Sequence, residues 1–209
     1  MTLNVHRIVS RPFDENSYVV WHSDRTEAIV VDPGFEPEKI VAFVDKHALE
    51  IVAILNTHGH ADHIAGNEAM KEAYPLAPLI IGERDAPMLR DPMLNLSALF
   101  GEPLVSPAAD RTLRDGEVLE IAGQRWEVRW IPGHSPGHIV FVGHDTVLGG
   151  DVLFRGGIGR YDFPGGSLED LLAGIHRHLL TLPPTTAVYP GHGPSTTIGR
   201  EAETNPYLG

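Results

Sequence analysis

Thr57-His58-Gly59-His60-Ala61-Asp62-His63 places three histidines and an aspartate within the six residues 58 to 63. Successive side chains of an extended backbone alternate sides, so i and i+2 share one. His58 and His60 can therefore bind one ion together. Asp62 and His63 fall where the chain enters a helix expected near Ile64 to Ala73. Their side chains diverge from the first pair and suit a second, adjacent ion. Gly59 lets the backbone come close. Buried without a cation, such a cluster would strand several polar groups at roughly 1–3 kcal/mol each.

Three further candidate ligands lie downstream. His134 sits in Ile131-Pro132-Gly133-His134-Ser135-Pro136-Gly137-His138, Asp151 in Gly149-Gly150-Asp151, and His192 in Tyr189-Pro190-Gly191-His192-Gly193. A lone histidine after a glycine is most often a loop residue. Here each ligand-bearing loop follows an expected strand, at 51–55, 125–130, 147–149 and 186–189. Four such loops can converge at one sheet edge, where connecting segments carry function.

The rest of the chain reads as strand pairs mixed with helices. Val19 to Trp21 and Ala28 to Val31 flank a polar turn and form a hairpin. A helix is expected from Pro37, with Ile40, Phe43, Val44 and His47 on one face. Prolines at 75, 78, 87, 92, 103 and 107 break any long element between 75 and 107. Met88, Leu89, Met93, Leu94, Leu96, Leu99 and Phe100 stand among them. This segment reads either as short helices in a satellite cluster or as a pliable wall over a substrate site. Val118 to Ile121, Arg125 to Trp130, His138 to Val142 and Val147 to Gly149 read as strands. A helix from Ser167 carries Leu168, Leu171, Leu172, Ile175 and Leu179 on one stripe, with Ser167 and Asp170 capping its start. Thr186 to Tyr189 is the last strand. No linker or repeat is visible, and one compact domain over residues 1–209 is expected.

Composition removes several classes. The chain has 209 residues and a formal charge of −12, which disfavours nucleic-acid or anionic-membrane binding. It has no cysteine, so disulfides, cysteine–zinc sites and thiol nucleophiles are excluded. Its 12 histidines and its carboxylates must bind any metal. Met1 to Ser10 lacks the features of a leader, and no apolar run reaches the ~18 residues of a spanning helix. The expectation is a soluble cytoplasmic protein of undetermined oligomeric state, with no membrane or nucleic-acid partner.

The block Thr57 to His63, with His134, Asp151 and His192 in order, resembles the metallo-β-lactamase-fold superfamily over nearly the whole chain. That resemblance implies a four-layer αββα sandwich (class α/β, or α+β) with metals at one sheet edge. It implies that His58, His60 and His134 hold the first metal, that Asp62, His63 and His192 hold the second, and that Asp151 bridges both. The ions would be two divalent cations, zinc foremost, with iron or manganese as alternatives. Asp32 resembles an aspartate that braces the metal loops. His138, His144, His176 and His178 read as non-ligands, and the last two as solvated.

A second block narrows the branch. Gly150-Asp151-Val152-Leu153-Phe154 and Gly157-Ile158-Gly159-Arg160-Tyr161-Asp162-Phe163 resemble glyoxalase II (hydroxyacylglutathione hydrolase). So does the tail, Thr197 to Arg200 and Asn205 to Leu208. Short bacterial-type members without a C-terminal helical domain are the nearest likeness, since the chain runs 17 residues beyond His192. Arg160, Tyr161 and Asp162 are then the substrate-binding candidates. Arg160 falls where eukaryotic enzymes carry a glutathione-binding lysine, and Asp162 where they carry a tyrosine. The plainer reading pairs Arg160 with a nearby carboxylate; the functional one gives its fork a substrate carboxylate.

The implied chemistry is hydrolysis. Two ions ~3.5–4 Å apart can share a bridging water whose pKa falls to about 7, giving a metal-bridging hydroxide as nucleophile. Asp62 and Asp151 are the catalytic carboxylates of this reading. A thiol with a pKa near 8.5 leaves without a strong acid, whereas an amine needs a proton. The substrate expected is a small-molecule thioester, glutathione-derived if S-lactoylglutathione is its type. The alternative is an iron-dependent persulfide dioxygenase of the same fold, its iron on His58, His134 and Asp151. A structural metal module or a nuclease fits less well.

Overall fold

The structure is a computed structural model that describes residues 2–209. Met1, the first residue of the stretch read for a leader, lies outside the described residues. Two sheets of six strands each form the centre. The first holds β1 (Leu3–Ser10), β2 (Glu15–His22), β3 (Glu27–Val31), β4 (Glu50–Leu55), β5 (Leu79–Gly82) and β6 (Arg111–Leu113), in that spatial order. β1 to β3 are antiparallel, and β3 to β6 are parallel. The second sheet runs from β7 (Val118–Ile121) through β8 (Gln124–Trp130), β9 (Ile139–Val142) and β10 (Thr146–Gly150). A two-stranded hairpin, β11 (Leu153–Phe154) with β12 (Gly157–Ile158), interrupts the chain before β13 (Ala187–Pro190) and β14 (Thr196–Thr197) complete that sheet. Its only parallel pair is β10 with β13.

Three apolar layers separate four structural layers. Between the sheets, Val20, Ile29, Val31 and Leu55 face Trp126, Val128, Phe141 and Leu148. Outside the first sheet, α1 (Pro37–Lys46), α2 (Ala61–Ile64) and α3 (Asn67–Ala73) lay Ile40, Val44, Ile64 and Met70 on Val19, Val30 and Ile54. Outside the second, α4 (Leu168–His178) and α5 (Ile198–Thr204) lay Leu171, Ile175 and Ile198 on Val140, Val147 and Val188. The expected αββα sandwich is this arrangement. Each fully buried aliphatic side chain adds about 1.5–3 kcal/mol of transfer free energy.

Alternation along the strands carries the sandwich. In β2, Val19 turns to the helices and Val20 to the other sheet. The Ser167 hydroxyl accepts a hydrogen bond from the Asp170 amide and starts α4, as its sequence signature requires. The helix expected over 64–73 is split into α2 and α3, with the bend pinned where the Gly66 amide donates to the Pro33 carbonyl at 2.8 Å. His47 caps α1 from outside, and His178 is half-buried rather than solvated.

Residues 75–107 hold more than short helices. Leu79–Gly82 forms β5, a strand buried along its whole length in the parallel part of the first sheet. Leu-Ile-Ile-Gly is the continuous apolar pattern of such a strand; Pro78 precedes its first residue and removes no ladder donor. Short 3-10 helices follow at Ala86–Arg90 and Ser97–Phe100. Among the described residues, no helix is long and apolar enough to cross a membrane.

Candidate metal centre

Strand direction decides what meets at the site. β3 and β4 are parallel, and β8, β10 and β13 share one direction because β9 is antiparallel to both β8 and β10. The C-terminal ends of these strands deliver Asp32, the 56–63 loop, the 131–138 loop, Asp151 and His192. Strands that run the opposite way return their first residues to the same edge. β9 thereby brings back His138, and β2 brings back Glu15 and Asn16.

Donor atoms of His58, His60 and His134 lie within 4.8 Å of one another, as do those of Asp62, His63 and His192. Asp151 lies between the two groups. Its Oδ1 is 3.5 Å from His63 Nε2, and its Oδ2 is 3.4 Å from His134 Nε2 and 3.6 Å from His192 Nε2. All seven residues read from the sequence as ligands therefore converge. Asp32, His58 and His63 form a third close group, but Asp32 is already engaged. Its Oδ1 accepts from the Thr57 amide, and its Oδ2 accepts from the Thr57 hydroxyl, each at 2.7 Å.

These contacts fix the imidazole tautomers. The Thr57 hydroxyl gives its one proton to Asp32, so toward His58 Nδ1, 3.1 Å away, it can only accept. His58 Nδ1 therefore carries the hydrogen, and its Nε2 presents a lone pair to the centre. His134 Nδ1 donates to the Arg160 carbonyl at 2.8 Å, so its Nε2 carries the lone pair and lies 2.9 Å from His60 Nδ1. His63 Nδ1 donates to Asp32 at 3.1 Å, which frees its Nε2. Such partners orient metal-binding imidazoles. His58 Nε2, His63 Nε2 and Asp151 Oδ1 are buried without a hydrogen-bond partner in the protein. Converging unpaired lone pairs beside carboxylates fit a cation.

Electrostatics agrees. Burial, then the surrounding imidazoles, push His58 and His60 well below their ordinary pKa. Both are neutral, as ligands must be. Burial opposes a charge on His63, yet Asp62, Asp151 and Asp32 outweigh it and raise its pKa well above the ordinary value. Burial likewise opposes the Asp62 carboxylate, and His63 and His192 outweigh it, holding its pKa down. The carboxylates of this half demand positive charge.

Residues that the sequence reading gave no role at the site hold the loops. The Asp85 carboxylate, fully buried, accepts from the Gly59 amide, the Ser135 hydroxyl (2.6 Å) and the Gly137 amide (2.6 Å). It ties the first ligand loop to the second. His138 Nε2 accepts from the Asp151 amide at 3.0 Å, so its lone pair is spent; it positions Asp151 and ligates nothing. Asn16 Nδ2 donates to the Pro190 and Gly193 carbonyls and clamps the His192 loop. A side chain at Gly59 would strike Met88, and one at Gly191 would strike Asp151 and His63. Of Asp85, His138 and Asn16, only His138 was singled out by the sequence, as the histidine opening an expected strand and as a non-ligand.

A cavity of about 350 Å³ opens over the ligands, with Phe13, Leu96, Phe100, Phe154 and Phe163 on its walls. Arg160 lines it; Tyr161 and Asp162 do not. Asp162 instead takes the Arg160 guanidinium through two contacts of 2.9 and 2.8 Å, and that guanidinium stacks 4.1 Å from the Phe163 ring centre. The plainer reading of Arg160, an ion pair, is the arrangement observed. The 86–107 segment is both cluster and wall. Met88 is buried under Gly59, the Asn95 carbonyl accepts from the Ala61 amide at 2.9 Å, and Leu96 and Phe100 reach the cavity. His144 and His176 are exposed.

Comparison with known proteins follows the same lines. Residues 10–192 match the sequence profile of the Metallo-beta-lactamase superfamily. Hydroxyacylglutathione hydrolase GloC of Haemophilus influenzae is 35% identical, over 99% of this chain and 98% of its own. The crystal structure of the B3 metallo-beta-lactamase BLEG-1 superposes with a TM-score of 0.94 at 37% identity, covering 98% of this chain and 99% of that one. TTHA1623, in a di-iron-bound form, superposes at 0.87 with 39% identity, over 98% of this chain and 100% of that one. With its candidate ligand residues at the shared edge of two helix-covered sheets, the chain belongs to the metallo-beta-lactamase superfamily.

Proposed function

We propose that this chain is a metal-dependent thioester hydrolase. His58, His60 and His134 would hold one divalent cation and Asp62, His63 and His192 a second, with Asp151, placed between the two groups, available to either. When bound, two such cations supply water acidified toward neutral pH and an electrophile for an acyl oxygen.

The chain's own residues do the rest. Asp32, through Thr57 and His63, fixes which imidazole nitrogens face the centre. His138 and Asp85 hold the loops that carry Asp151 and His134. Asp62 and Asp151 face the cavity and orient the attacking water by accepting its hydrogen bonds. Phe13, Phe100 and Phe163 exclude bulk water. Arg160 stands at the rim as a partner for an anionic substrate group once it leaves Asp162.

One observation carries the choice of thioester. The titratable side chains lining the cavity are His60, Asp62, His134, Asp151, His192 and Arg160. All but Arg160 belong to the metal set, so no separate acid is placed to protonate a leaving amine. A thiol leaves as thiolate without one. The relative named hydroxyacylglutathione hydrolase, which the chain matches over nearly its whole length, supports the same class.

The test is thiol release from S-lactoylglutathione and from smaller thioesters by purified protein of measured metal content. Turnover with about two metals per chain is expected. Fully loaded protein that leaves thioesters intact and opens a β-lactam would move it to the lactamase class. Oxygen uptake with glutathione persulfide, on one iron per chain, would assign the dioxygenase reaction instead.

A further inference from the structure

Beside the cavity over the ligands lies a larger groove of about 660 Å³. The two adjoin, and Phe13, Ala61 and Phe100 line both. Ala61 stands in the chain between the ligand candidates His60 and Asp62, so the groove lies next to the candidate centre. Its walls come from four separate parts of the chain, one of them α2 and the start of α3 with Ala61 and Glu68. The β1–β2 turn gives Phe13, the segment after β3 gives Phe35, and the 97–106 segment gives Phe100, Pro103, Leu104 and Val105. The Phe13 ring centre lies 5.7 Å from that of Phe35 and 5.4 Å from that of Phe100, which makes a row of aromatic faces.

These side chains are not core. Phe100 is 60% exposed and Val105 50%. Large apolar groups left open around a concave channel are the usual lining of a small-molecule site. The charged side chains on the groove are Glu68 and Glu102, and no cation lines it. A thiol carrier bearing carboxylates is repelled from this side and belongs across the cavity, toward Arg160. A neutral hydrocarbon chain is not repelled.

Resting on the thioester reading, we infer that the groove takes the acyl chain of the substrate. The substrate class is then a thioester with an extended, uncharged hydrocarbon acyl group. The lactoyl group, short and hydroxylated, leaves the groove unfilled.

The test uses acetyl, butanoyl, hexanoyl and octanoyl thioesters of one small thiol with the metal-loaded protein. Matched non-hydrolysable S-alkyl thioethers are titrated in parallel by calorimetry. kcat/KM should rise about three- to fourfold per added methylene, the equivalent of burying one CH2 group, and thioether affinity should rise with it. Phe100→Ala and Val105→Asp, both at exposed positions that folding tolerates, should flatten both slopes. Hydrolysis that is indifferent to chain length, with thioether binding equally flat, would overturn the groove assignment and leave the hydrolase standing. Thioether affinity that climbs with chain length while no thioester is cleaved would do the reverse. Concentration-dependent dimerisation abolished by Val105→Asp, with no chain-length effect, would hand the groove to a second copy of this chain.

Discussion

The cavity has a floor and a wall built on opposite principles. The floor consists of short loops at strand ends, buried and cross-tied by hydrogen bonds. Asp85 alone joins Gly59, Ser135 and Gly137. The wall, from residue 86 onward, is two 3-10 turns whose outer side chains stand in water; Met93 and Leu99 are 63% and 61% exposed. One buried residue joins the two. Asn95 accepts from the Ser97 amide, donates to the Met88 and Leu104 carbonyls, and offers its own carbonyl to the Ala61 amide. Geometry is held where chemistry needs it, and latitude is left where a substrate arm must be accommodated.

Substitutions can break this contrast or sharpen it. Asp151→Ala removes the carboxylate between the two ligand groups. Turnover should fall by more than the roughly 10–100-fold typical of an outer partner, and bound metal should drop to one per chain or fewer by elemental analysis. Near-normal turnover would remove Asp151 from the chemistry. Chelation should come next. At metal concentrations about 1,000 times Kd, binding contributes about 4 kcal/mol, so stripping it should lower Tm by roughly 8–16 °C. Scanning calorimetry with and without chelator reads that shift.

Smaller effects probe the ties. Asp85→Asn turns one accepting oxygen into a donor that faces other donors. It should cost about 1–3 kcal/mol in urea unfolding and about 10–100-fold in metal affinity. Asn95→Ala should cost a similar 1–3 kcal/mol while leaving metal content at the wild-type level, because it loosens the wall and spares the floor. Loss of metal in that variant would show that the two regions are one unit. Leu99→Ser, on the outer face of the wall, should change stability by less than about 0.5 kcal/mol.

The same contrast governs what could be read in advance. Four histidines and aspartates at tight spacing after an expected strand are rare enough to announce the floor, and the three single candidates, His134, Asp151 and His192, meet them there. Sheets covered by helices followed from the strand pairs, the alternating β8 and the stripe on α4, while the four-layer sandwich was implied by the resemblance. β5 and β6 were not foreseen: prolines at 75 and 78 hid the first, and the second is three residues long. Asp85 carries no local signal at all. Its role exists only because β5 delivers it between two loops that are about 26 and 50 residues away in sequence. The place of His138 depends on the direction of β9, which is a property of pairing rather than of composition. Tyr161 and Asp162, carried over by resemblance, do not line the cavity; Asp162 pairs with Arg160 instead.

The ligand groups draw on both sheets. His58 and His60 follow β4, whereas His134 follows β8, and the closest contact between the two sides joins residues 74 apart in sequence. A cation held there acts on the chain as a cross-link does. It closes a long loop that the denatured polypeptide would otherwise leave open, and the entropy of that closure grows with the logarithm of the loop length. Metal and fold are then linked through polymer statistics as well as through coordination. The seam between the two sheets should open as one step, with amide protons on both sides losing their protection together when the ion is withdrawn.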